Sequence, residues 1–332
     1  MTVAVDALQE RYDLVTFGEA MIRLTTPAGR RLDDTDTLQV TIGGAEANVC
    51  VALARLGRRV AWLSALPDNA LGRRIDRELR GHGVDTSQVV WSAGRAGVYF
   101  MEQGAQPRPT RVLYDRAESA VARITPSAVD PRVVAAARAL HLTGITPALS
   151  ASCSAVCQRL AESAVAAGIP VVVDVNYRAR LWSPDAARSG LRPLLDRASV
   201  LFCGAGDAAT IWGLGGAADA IAAGLLDRSA ARLVVVTLGA DGSVAVTRDR
   251  RAARVPAIPV EMVDAVGAGD AFAAGFLHRW LDHPDDIAGA LRSATALAAL
   301  KMTLFGDLAT ITPDELAETL ALLDGAAREI DR

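Results

Sequence analysis

The chain has 332 residues, 51% of them hydrophobic and 22% charged, with a net charge of −3 and an isoelectric point of about 5.9. This length suits one large domain, or one large and one small, with ample apolar material for a core. No run of five basic residues occurs, so neither nucleic acid nor a membrane surface is expected as a partner.

In chain order, the opening "MTVAVDALQERYDL" carries acids early and lacks the apolar stretch of a secretory signal. Residues 13–19 read as a strand, 20–25 and 37–42 as short strands, 45–57 as a helix ended by Gly57, 59–66 as a strand and 71–83 as an amphipathic helix. Residues 96–104 and 110–116 are alternating strands joined by a Pro-rich turn, "AQPRP". From 138 a regular alternation sets in. Strands at 138–144, 170–176, 199–204 and 232–239 are followed by helices at 150–168 and 185–197 and by short helices after 204. A hairpin-like pair at 242–247 and 251–257 comes next, then helices at 268–282, 285–304 and 313–323. The apolar stretch 205–226 carries Asp207 and Asp219 and does not read as a membrane span. This order predicts an α/β fold, a Rossmann-like, mostly parallel sheet flanked by helices. The strands within about 20–42 and 91–119 do not fit that sheet and predict a small β-sheet lid over it. The α/β core is then formed mainly by 12–19, 43–90 and 120–325. No repeat of 20–50 residues is present.

Cys50, Cys153, Cys157 and Cys203 form no C-x-x-C pair, so reduced, buried thiols and a cytoplasmic location are expected. Lys301 is the single lysine among 35 basic residues. A Gly-Lys-Ser/Thr phosphate loop is therefore excluded, and any phosphate must be held by backbone N–H groups, arginine or a metal. The stretch "VDAVGAGDAFAAGF" at 263–276 offers such a place. Glycines ahead of a helix leave N–H groups and the helix dipole pointing at an anion. Two readings of the acid fit. Asp270 accepts a proton from a hydroxyl attacking a phosphate, while Gly267, Ala268 and Gly269 hold the developing charge; or it is an ordinary capping aspartate.

The stretch D-A-V-G-A-G-D resembles the D-T-x-G-A-G-D signature of the ribokinase-like (pfkB) carbohydrate kinases, and "IGGAEANVCVALARLG" (42–57) resembles their Gly-Gly and downstream Asn hallmark. "VLYDRAESA" (112–120), "HLTGITPALS" (141–150) and "DVNYRARLW" (174–182) are similar to the narrower group of 2-keto-3-deoxygluconate kinases. The resemblance runs from about residue 12 to 323. It implies a single ribokinase-like unit with a β lid, phosphorylating 2-keto-3-deoxygluconate with ATP and Mg²⁺ at its terminal (C6) hydroxyl, and it leaves the use of a monovalent cation open. By this resemblance Asp270 is the general base and residues 267–269 the anion hole. Gly43, Gly44 and Asn48 contact sugar hydroxyls; Tyr99, Arg116 and Arg178 hold the keto acid. Thr237, Gly239, Gly242 and Thr295 lie on the ATP side. Arginine suits a carboxylate through its planar fork, although Arg116 and Arg178 also read as surface arginines, Tyr99 as lid core, and Gly43 and Gly44 as turn formers.

The chain departs from the family pattern at three places. The N-x-x-E motif falls on Gly204 and Asp207, where Asp207 can serve Mg²⁺ through water. A helix-end Asn near the adenine appears as Thr295. Asp115 stands where an aromatic is common beside the substrate arginine, which adds negative charge near the expected carboxylate site. Asp264 is expected to hold the loop by hydrogen bonds. The rivals are a kinase of a neutral sugar or nucleoside, and a non-catalytic sugar-binding regulator on the same fold. A nicotinamide-dependent enzyme is disfavoured because "FGEAMI", not G-x-G-x-x-G, follows the first strand. Exposed lid edges predict a homo-oligomer.

Overall fold

The computed structural model describes residues 11–104 and 107–323. Most of the opening segment and the first two residues of the Pro-rich turn therefore lie outside the described residues. In chain order the elements are β1 (Leu14–Phe17), β2 (Met21–Thr25), β3 (Gln39–Gly43), α1 (Ala45–Arg55), β4 (Val60–Leu63), β5 (Ala65–Pro67), α2 (Ala70–Gly81), β6 (Val90–Ser92), β7 (Val98–Glu102) and β8 (Arg111–Asp115). They continue with β9 (Leu140–Thr143), α3 (Ala151–Ala166), β10 (Val171–Asp174), α4 (Pro184–Leu195), β11 (Val200–Gly204), α5 (Ala205–Trp212), α6 (Ala218–Asp227) and β12 (Leu233–Thr237). The last are β13 (Ser243–Thr247), β14 (Ala252–Val255), α7 (Ala268–Trp280), α8 (Ile287–Met302) and α9 (Pro313–Leu323).

The aliphatic runs of β1, β4 and β9–β12 are nearly continuous because both faces of their sheet are covered. Along β10 and β11 the side chains alternate between two cores. Val171, Val173, Leu201 and Cys203 pack under α3–α6, while Val172, Val200 and Phe202 pack under α1, α2 and α7–α9. The order is β14-β13-β12-β11-β10-β9-β1-β4. It is parallel from β4 to β12 and antiparallel at the β12–β13 and β13–β14 pairs. A separate four-stranded sheet, β3-β2-β7-β8, forms the predicted small sheet. The sequence did not show the third sheet, β5 with β6, because three-residue strands carry too short a pattern to read.

The helix starts separate structure from site. Asn69, Ser150, Ser183 and Asp286 cap α2, α3, α4 and α8 with side-chain oxygens on first-turn amides. By contrast α1, α5 and α7 begin at Gly44, Gly204 and Gly267, with no side-chain cap. All three glycines line one cavity. All four cysteines are free and buried. Among the described residues no helix is long and apolar enough to cross a membrane.

Candidate active site

Five strands of the main sheet bring their carboxyl ends to this cavity, where open α/β sheets gather ligands. Glu19 follows β1, Ile145 follows β9, Asp174 ends β10, Gly204 ends β11 and Thr237 ends β12; Met21, Gly43, Tyr99 and Tyr114 of the small sheet close the other side. The cavity holds about 400 Å³. A second, apolar cavity of about 630 Å³ is lined by Ile258, Val260, Met262, Phe272, Ala298 and Met302 among others. The two share Thr237 and Gly269, so they meet at the first turn of α7.

Gly267 is the N-cap of α7, with φ at 85°, and a Cβ there would lie 2.1 Å from the carbonyl oxygen of Asp307. Only glycine fits both constraints. The chain thus enters α7 with first-turn amides that have no acceptor within the helix. Asp270 lies inside that turn and does not cap it. Its carboxylate instead accepts a hydrogen bond from Asn48 Nδ2 at 2.7 Å. Asn48 is oriented in turn by the Gly44 N–H, which donates to its Oδ1 at 3.2 Å. At Gly44 a Cβ would lie 2.0 Å from the Glu19 carbonyl oxygen, which explains the second glycine of "IGGAEAN". The capping reading of Asp270 is therefore corrected. Asn48 holds this acid, so its amide is already engaged on the side where a sugar hydroxyl was expected.

Three carboxyl groups share one field. Burial pushes Asp270 up to about 7, while the Asn48 hydrogen bond and Arg178 pull it back. Burial also pushes Asp174 up to about 8, with Asp270 and Asp207 adding to the rise. Asp207, raised by burial as well, accepts a hydrogen bond from the Tyr177 N–H at 3.1 Å. Arg178 lowers all three values. It donates to the Tyr177 carbonyl oxygen and has no ion pair within 4 Å among the described residues. Asn176, at a φ of 38°, turns the chain between Asp174 and Arg178, and its N–H bonds Asp174 Oδ1 at 3.1 Å.

The other sequence-predicted residues fall on either side of Gly269. Gly43, Tyr99, Arg116 and Asp207 line the polar cavity; Gly239, Gly242, Ala268 and Thr295 line the apolar one. Two placements change the expectation. Arg116 is not a spare cation, because Glu19 pairs with it at 2.5 Å and also accepts from Ser119. The Tyr99 hydroxyl donates to Asp307 at 2.7 Å. Asp115 is corrected too: it pairs with Arg95 at 2.6 Å, is exposed, and does not line the cavity, so it adds no uncompensated charge there. Asp264 holds the loop as expected, accepting from the N–H groups of Val266 at 3.0 Å and Gly306 at 3.2 Å.

Sequence reasoning missed Glu19, Glu46, Asp174 and Asp307. Asp174 was within reach, since it opens the quoted "DVNYRARLW". Glu46 was too, inside "GGAEAN". It is fully buried, raised by that burial, and accepts from the hydroxyls of Thr143 and Thr146 at 2.7 and 2.6 Å. Glu19 and Asp307 act only through partners distant in the chain.

The sequence model described as pfkB family carbohydrate kinase matches residues 11–314. The chain belongs to the pfkB family of carbohydrate kinases. Among curated proteins it is 43% identical to the 2-dehydro-3-deoxygalactonokinase of Haloferax volcanii over 96% of this chain and 99% of that protein. It is 31% identical to Fructokinase-1 of Oryza sativa subsp. japonica over 94% and 98%. Among solved structures, the 2-dehydro-3-deoxygluconokinase of Thermotoga maritima superposes with a TM-score of 0.86, at 31% identity, over 94% of this chain and 99% of that one. This pfkB member is thus a carbohydrate kinase with the ribokinase-like α/β fold.

Proposed function

We propose that this kinase transfers the γ-phosphoryl group of ATP to the terminal C6 hydroxyl of a 2-keto-3-deoxyhexonate, the gluconate or galactonate epimer. The observation that carries the reading is the meeting of a polar and an apolar cavity at Gly269, with the Asn48-held carboxyl of Asp270 facing the polar one. The sugar acid occupies the polar cavity and the nucleotide base the apolar one. Asp270 accepts the proton of the attacking hydroxyl. The backbone of 267–269 donates to the charge that develops on the transferred group. Arg178, the site arginine without an ion-pair partner, takes the substrate carboxylate. Closure of the small sheet excludes water.

Mg²⁺ fits the donor set. Asp174 and Asp207 are hard oxygen ligands whose pKa values are raised mainly by burial and lowered by Arg178, so a cation beside them would favour their charged forms. No group of three or more metal-type side chains is gathered among the described residues. Asp207, directly or through water, and Asp174 would therefore hold the ion together with phosphate oxygens. When bound, Mg²⁺ supplies charge neutralisation on the phosphates. We also propose that copies pair through the small sheet, whose β8 exposes Leu113 on the face away from the cavity.

An ADP-release panel tests the reading. The 2-keto-3-deoxygluconate and 2-keto-3-deoxygalactonate epimers should give the highest kcat/KM, and Arg178→Ala should raise KM for them by roughly 10- to 100-fold, the worth of a charge-assisted hydrogen bond. A second reading, a neutral ketose, is favoured by the Glu19 carboxylate that already neutralises Arg116. Fructose as the best substrate, with KM unmoved in Arg178→Ala, would establish it.

A further inference from the structure

Among 35 basic side chains the single lysine is not on the surface. Lys301 lies in the last turn of α8 and is fully buried. Its Nζ donates to the backbone carbonyl oxygen of Asp264 at 2.8 Å. That peptide begins the approach to Gly267, and the next carbonyl, of Ala265, accepts the Ala268 N–H at 3.2 Å. The Asp264 side chain is held as well, by the Val266 and Gly306 N–H groups and by Arg23 at 2.5 Å. Lys301 is close enough to Asp264, Asp307 and Asp270 for all three to raise its pKa against the lowering caused by burial. A chain that otherwise uses arginine has here a compact ammonium, which fits a buried carbonyl without the five donors of a guanidinium.

We propose that Lys301 is a positioning residue for phosphoryl transfer: its ammonium fixes the Asp264 peptide, and so the amides of 267–269, from beneath the first turn of α7. It touches neither substrate. It sets where the donors point and adds a fixed positive charge on the side where negative charge develops. The inference rests on the anion-hole reading of residues 267–269.

The test compares Lys301→Met and Lys301→Ala with the unaltered protein, reading kcat, sugar KM and thermal midpoint. The folded Lys301→Met protein should lose about 10- to 100-fold in kcat, the scale of a misplaced catalytic geometry, with sugar KM within about threefold. Methylammonium or ethylammonium should restore part of the kcat of Lys301→Ala saturably and leave the unaltered enzyme unmoved. A purely structural lysine would lower the thermal midpoint yet leave the kcat of the folded protein within twofold, and that result overturns the proposal. Where neither variant folds, the unaltered protein decides. With ¹³C-lysine it shows one side-chain ε-methylene signal, which should shift in step with occupancy by Mg²⁺ and a non-hydrolysable ATP analogue; a signal unmoved at saturation overturns the proposal. An active Lys301→Met beside an inactive Asp270→Asn sinks this inference alone, whereas activity in both sinks the reading beneath it.

Discussion

At the scale of single residues, the site depends on how one carboxyl is held. Asp270 sits in a helix first turn, where the dipole favours its charge, yet burial pushes it up to about 7. In the proposed mechanism its deprotonated form is the base, so kcat/KM should fall as pH falls through about 7 and level off above it. The Asn48 hydrogen bond favours the charged form, so Asn48→Ala should move this limb to higher pH. A pH profile checks both, and a limb at about 4, where an ordinary exposed carboxylate titrates, would contradict them. Much of this was legible in the sequence, because Gly267–Asp270 and Gly44–Asn48 act within single turns. The contact between the two turns was not legible, since Asn48 and Asp270 lie 222 positions apart.

At the scale of elements, the small sheet is tied to the α7 loop by one buried cluster. Arg23 of β2 donates to Asp264 at 2.5 Å and to Asp307 at 2.6 Å, and Tyr99 of β7 also donates to Asp307. Arg23 is wholly buried, with its guanidinium 5.0 Å from the centre of the Phe305 ring. Removing it strands two carboxylates, so Arg23→Met should destabilise the protein by about 3–5 kcal/mol. Chemical denaturation measures this, and a loss under about 1 kcal/mol would show that the cluster relaxes, as exposed pairs do. Strand and helix positions followed from periodicity to within a few residues. This cluster did not, because Arg23 reads as an ordinary strand residue until the fold brings residue 307 beside it. The roles first given to Tyr99 and Arg116 missed their protein partners for the same reason: nothing local marks Asp307 or Glu19.

At the scale of the whole molecule, the carboxyl ends of the main sheet and the first turns of α5 and α7 bring the acids together, and a second sheet lines the other side. The exposed side chain of Leu113 in β8, on the face opposite the cavity-lining Tyr114, carries the proposed pairing of copies. Leu113→Asp should shift the protein from dimer to monomer in sedimentation velocity; a wild-type protein that is monomeric at high concentration would refute the pairing. The central claim is that phosphoryl passes between the two cavities at the first turn of α7, with Asp270 removing the proton. The most direct measurement is single-turnover phosphoryl transfer by Asp270→Asn, alongside its ATP affinity by calorimetry. The account predicts a loss of about 100-fold or more in rate, with ATP affinity within about threefold of the unaltered protein. Transfer within a few-fold of the unaltered rate would contradict it.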